Sequence, residues 1–135
     1  MGSTTRSAGQ RILFAEDDWM VRSMTGQLLR EQGYTVVEAE NGDHAAIVLE
    51  TESFDCLLTD VRMPGKMDGI DFAAHARHRE PRLPVVVISG YADQIQARVA
   101  ALGDRVILVG KPFRLAEIVA AIDQVSPPAL FSPAA

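Results

Sequence analysis

Five short apolar runs, separated by segments of helical periodicity, constrain this chain more than any other feature. Arg11 to Ala15 holds Ile12, Leu13 and Phe14, and Thr35 to Glu38 holds Val36 and Val37. Cys56-Leu57-Leu58, Val85-Val86-Val87-Ile88 and Val106 to Val109 complete the set. Each has the length and bulky or β-branched content of a strand buried on both faces. Between them, Val21, Met24 and Leu28 recur at helical spacing, with Leu29 widening the stripe and Gly33 marking its stop. Asn41-Gly42 signals a turn before a helix over 43–50, with Ala45, Ala46 and Leu49 facing inward. Residues 70–79 form a third helix, Ile95, Val99 and Leu102 mark a fourth, and Leu115, Ile118, Val119, Ile122 and Val125 mark the fifth.

Strands alternating with helices give a parallel sheet covered on both faces through right-handed crossovers. The expected fold is therefore α/β: a five-stranded parallel sheet in the flavodoxin-like order 2-1-3-4-5. In that order the C-terminal ends of strands one, three, four and five meet at one edge, where open α/β sheets bind their ligands. The residues placed there are Glu16-Asp17-Asp18, Asp60, Ser89 and Lys111. Asp60 closes the central strand, and Pro64 stops regular structure soon after it.

Composition sets the remaining bounds. At 135 residues, 47% hydrophobic and 23% charged, the chain suffices for one domain with a real core. Residues 11–125 are expected to form it, with residues 1–10 a disordered Ser/Thr/Gly-rich segment and 126–135 a proline-rich tail. No apolar run is long enough to span a membrane, and residues 1–10 lack a signal peptide's apolar block. The single cysteine, Cys56, excludes an intrachain disulfide and reads as core, so a cytoplasmic location is expected. A net charge of −5 argues against direct nucleic-acid binding.

The clustered residue types point to phosphoryl chemistry. Carboxylates crowded into one site repel unless a cation neutralises them, and an all-oxygen set suits Mg²⁺. An Asp carboxylate can attack phosphorus, giving an aspartyl phosphate, and the transfer then needs charge stabilisation more than covalent machinery. Lys111 offers a mobile positive charge and Ser89 a hydroxyl donor. Plainer roles compete with these. The three acids could serve only as a helix N-cap with dipole-favoured neighbours, and Ser89 could cap the fourth helix. Asp68 or Asp71 is expected to cap the third. His44, His75 and His78 read as surface residues and Lys66 as a solvated loop residue.

With these residues in place, the chain resembles the receiver domains of bacterial two-component response regulators from about Arg11 to Val125. The resemblance rests on 12–18 (ILFAEDD), 60–64 (DVRMP), 67–69 (MDG), 87–90 (VISG) and 111–113 (KPF), in the family's order. It implies that Asp60 is the phosphoacceptor, Ser89 the switch hydroxyl and Lys111 the phosphate-binding lysine. It also implies a Mg²⁺ site held by Asp17 and Asp60 directly, Glu16 through water and the Arg62 carbonyl, and a cis Lys111–Pro112 peptide. Arg22 fixes that acid register, leaving Asp18 accessory. The implied donor is a phosphohistidine on a sensor histidine kinase or a histidine phosphotransfer protein. The expected role is a signalling receiver rather than an enzyme, either free-standing or drawn from a larger protein such as a hybrid kinase.

The sequence departs from the family pattern in three places. Gly65-Lys66-Met67 makes the loop between Pro64 and Asp68 one residue longer than usual, and Leu108 stands where an aromatic switch residue is expected. Tyr91, following Ser89-Gly90, is expected to take over that coupling. Three rival readings fit less well. A receiver-like scaffold that is not phosphorylated would make no use of the cluster. A haloacid-dehalogenase-type phosphatase wants a second Asp two residues after the nucleophile, where Arg62 stands. A flavin- or nucleotide-binding module wants a Gly-rich loop after strand one, where three acids and Trp19 stand.

Overall fold

The computed structural model describes residues 9–90 and 92–127, with the backbone alone for 92–94. In chain order the elements are β1 (Arg11–Ala15), α1 (Trp19–Glu31), β2 (Thr35–Ala39), α2 (Gly42–Thr51), β3 (Cys56–Asp60), α3 (Gly69–Arg79), β4 (Val85–Ser89), α4 (Ala92–Ala100), β5 (Val106–Gly110) and α5 (Leu115–Val125). The strands form one parallel sheet in the order β2-β1-β3-β4-β5, as expected. Residues 1–8 and 128–135, where most of the expected disordered segment and tail fall, lie outside the described residues. Gln10 Nε2 donates to the Ser126 carbonyl at 3.1 Å, and the Ser126 hydroxyl donates to the Asp55 carbonyl at 3.2 Å.

Strand alternation divides the core in two. Leu13, Ala15, Leu57, Val85 and Val87 point to one face and pack with Phe72, Ala73, Ile95 and Val99. Ile12, Phe14, Cys56, Leu58, Val86 and Ile88 point to the other and pack with Leu29, Ile118 and Ile122. Cys56 is the core residue its neighbours suggested, and burial pushes its thiol pKa well up. Each fully buried Leu, Ile or Phe side chain contributes about 1.5–3 kcal/mol by removal from water.

One helix faces differently from expectation. The inward residues of α1 are Thr25, Gly26 and Leu29, whereas Met24 and Leu28 are 60% and 40% exposed and Val21 is half-buried. The cause lies on β2. Glu38 takes Arg30 at 2.9 Å and Arg22 at 3.6 Å, and Arg30 also donates to the Val36 carbonyl at 2.8 Å. A Cβ at Gly26 would lie 2.7 Å from the Glu38 carboxylate, so glycine lets the helix approach and the two arginines set its rotation. Trp19, Met20, Met24 and Leu28 are left as an exposed apolar stripe. A smaller shift occurs at Leu102, which lies in the turn after α4 rather than on it and packs there half-buried.

Candidate functional site

At the C-terminal edge of the sheet, β1 ends on three acids whose tasks separate. Asp18 is the N-cap of α1, its Oδ1 accepting from the Met20 and Val21 amides at 3.0 and 3.1 Å. Glu16 is buried at 2% exposure and accepts from the Asp18 amide at 3.0 Å. Arg22 donates to the Glu16 carbonyl at 2.6 Å, which fixes the backbone of this turn. Asp17 stays exposed. The cap reading of the acidic run thus holds for Asp18, while Glu16 turns inward and Asp17 outward.

Asp60 ends β3, which like β4 is buried at every residue, and is itself 4% exposed. Its Oδ1 accepts from the Val61 amide at 2.7 Å, and its Oδ2 accepts from Lys111 Nζ at 2.7 Å. Oxygen atoms of Glu16, Asp17 and Asp60 lie within 4.8 Å of one another, close enough to share one metal ion. Like charges at that separation, in a partly dry site, call for a cation. Glu16 registers the crowding: burial foremost, with Asp60 beside it, pushes its pKa to about 7 against the pull of the Asp18 amide. Burial works to lower the Lys111 pKa, but the hydrogen bond and charge of Asp60, with Glu16 and Asp17 beyond it, outweigh that and raise it. The Lys111–Pro112 peptide is cis, and the Lys111 amide donates to the Ser89 carbonyl at 2.9 Å.

The comparison with known families agrees with this arrangement. The model of the response regulator receiver domain matches residues 12–123. The chain belongs to that family. Receiver domains are the signalling modules of two-component response regulators, and the family binds Mg²⁺ at an acidic pocket. This receiver is 38% identical to the response regulator receiver protein CpdR of Brucella abortus over 86% of its own length and 96% of that protein. It is 34% identical to the transcriptional regulatory protein PdtaR of Mycobacterium tuberculosis, covering 84% of this chain but 55% of that one. Among solved structures it resembles the receiver domain of the hybrid histidine kinase CckA, with TM-score 0.71, 35% identity and coverage of 85% and 97%.

Two other residues singled out by the sequence sit in different surroundings in this receiver. Ser89 is buried at the end of β4, paired in register with Gly110. Leu108 is half-buried on β5 and packs on the first core cluster, while Tyr91 lies outside the described residues. A cleft of about 640 Å³ opens beside the acids, lined among others by Asp17, Arg62, Asp68, Ser89 and Arg98. The loop after Asp60 lines this cleft through Met63 and Pro64 and beyond them leans on α2. Gly65 takes φ +106° and the Lys66 amide donates to the Asp43 carboxylate on α2 at 3.0 Å. Of the two acids offered as the cap of α3, Asp68 is the N-cap, and Asp71 completes a capping box with it. Arg98 was not anticipated from the sequence: it gives two hydrogen bonds to Asp68, at 2.9 and 3.1 Å, and a third to Asp71 at 3.2 Å. Those partners lie 27 and 30 residues back in the chain, beyond any local pattern.

Proposed function

We propose that this receiver accepts a phosphoryl group on Asp60 from a phosphohistidine of a partner protein. The observation that carries the reading is the Asp60 carboxylate itself, buried between one ammonium and two further carboxylates. One oxygen of Asp60 attacks phosphorus, the P–N bond of the donor breaks, and its electron pair leaves with the imidazole. The Val61 amide keeps the carboxylate aimed, and Lys111 carries positive charge to the phosphoryl oxygens. Ser89, buried at the end of the neighbouring strand, supplies a hydroxyl to the same group. Glu16, Asp17, Asp60 and the Arg62 carbonyl would hold Mg²⁺, and their chemistry fits it: three carboxyl groups and one neutral carbonyl, all hard oxygen donors. When bound, that ion offsets the negative charge gathering between donor and acceptor. The stripe Trp19, Met20, Met24 and Leu28 begins two residues beyond Asp17, which favours a protein donor over a small molecule alone.

Intact mass after incubation with acetyl phosphate and Mg²⁺ tests the reading. One phosphoryl group is expected on the wild-type chain and none on Asp60→Asn. Equal labelling of the variant would move the acceptor elsewhere.

A further inference from the structure

Among its described residues, helix α4 buries few side chains in the body of the protein. Of its described side chains only Ile95 and Val99 are buried. By contrast α3 buries Ile70, Phe72, Ala73 and Ala76, and α5 buries Ile118, Ala121, Ile122 and Val125. Two arginines supply much of the remaining grip, and they differ in kind. Arg77 of α3, its side chain 8% exposed, donates to the Asp104 carbonyl at 2.7 Å and to the Pro81 carbonyl at 3.0 Å. Asp104 lies in the turn after α4, so this buried contact anchors the C-terminal end of that helix. Arg98 of α4 reaches the other way, to the first turn of α3. Its side chain is 45% exposed and stands in the wall of the cleft that Asp17 and Ser89 also line.

Arg98 therefore joins the two sides of the cleft. Asp68, its main partner, is the N-cap of α3 and borders the loop that carries Arg62. The pair is bidentate, the strongest geometry available to Arg and carboxylate, and Asp71 adds a third bond. Burial pushes the Asp68 pKa up, but the bonds from Arg98 and the Asp71 amide more than reverse it, so the acid stays charged and paired.

We propose that Arg98 is a latch: its ion pairs with Asp68 and Asp71 hold α4 in its resting position, and a phosphoryl group on Asp60 releases them. This rests on the reading of Asp60 as acceptor. A phosphoryl group on Asp60 draws Ser89, which lines the same cleft as Arg98 and lies three residues before α4 begins, and the pull on the helix start breaks the exposed ion pairs. The helix then pivots about the Arg77–Asp104 anchor, whose arginine is buried. A latch that favours the resting state lowers the apparent affinity for any ligand of the released state by the same factor.

Beryllofluoride with Mg²⁺, a stand-in for the phosphoryl group, titrated into the full chain tests this, with Trp19 fluorescence as readout. Arg98→Gln and Asp68→Asn, the latter keeping its cap acceptor, are each expected to bind about three- to ten-fold more tightly than wild type. That gain should shrink in about 1 M salt, because the pair is exposed and screened. Amide exchange over residues 95–100, without beryllofluoride, should quicken in Arg98→Gln and stay unchanged over 69–79. Equal or weaker binding by both folded variants, or unaltered exchange in α4, overturns the latch. A wild-type chain that does not bind beryllofluoride overturns the acceptor reading instead, and the exchange comparison still decides whether Arg98 restrains α4.

Discussion

The Asp60 carbonyl oxygen occupies the place where a Cβ on Gly69 would stand, so the first residue of α3 can carry no side chain. The Gly69 amide also donates to the Val61 carbonyl at 2.8 Å, and the Thr59 hydroxyl donates to the Asp60 carbonyl at 2.8 Å. Helix start and strand end are thereby one unit, and the direction of the Asp60 carboxylate is set by backbone packing rather than by its own side-chain contacts alone.

Gly69→Ala forces β3 and α3 apart at this point. Overpacking of this kind costs about 1–3 kcal/mol. Denaturant unfolding should show that loss, and the rate of labelling by acetyl phosphate should drop with it, since the acceptor moves with the strand end.

Lys111→Met removes the ammonium 2.7 Å from Asp60 while keeping the length of the side chain. Losing one preorganised charge at the transferring group costs roughly 100-fold in rate. The labelling rate should fall by that order and the labelled residue should remain Asp60. A rate within two-fold of wild type would assign the lysine to resting-state structure only.

Glu16 predicts a pH dependence of the metal-free protein. Its pKa is raised on folding from an ordinary 4.5 to about 7, so folding favours the protonated acid. Its contribution to stability is complete below about pH 4.5 and is lost as pH rises through about 7. Each pH unit of that window is worth about 1.4 kcal/mol, and the whole loss is on the order of 3 kcal/mol. Glu16→Gln should flatten the stability profile between those limits when both proteins are unfolded in chelator.

Trp19, 65% exposed and two residues past Asp17, should report metal by a change in fluorescence on Mg²⁺ addition. Asp17→Ala should weaken binding at least ten-fold, because a hard cation loses one of its few charged ligands. A variant that titrates like wild type would show that Asp17 is not a ligand.

Most of this architecture was legible because the inner strands β1, β3 and β4 are buried on both faces and so read as unbroken apolar runs, with every residue of β3 and β4 buried. The acids, Ser89 and Lys111 were legible for a related reason: parallel topology alone brings strand ends to one edge. The facing of α1 was not. Its apolar residues suggested an inward stripe through Met24 and Leu28, but Glu38, on another element, rotates the helix through Arg22 and Arg30. Arg98 was hidden for the same cause, since its meaning depends on acids of a different helix. Local patterns report burial well and long-range ion pairs poorly.

The extra length of the loop after Asp60 has a practical consequence. Val61 is pinned by the Ile88 carbonyl at one end and Lys66 by Asp43 near the other, and between them Pro64 borders the cleft that Asp17 also lines. The loop is a bridge from the acids to α2, tied at both banks. A fluorophore coupled at Lys66, exposed and outside the cleft lining, should therefore ride on the surface of a working domain, giving a handle on the protein a few residues from its acceptor.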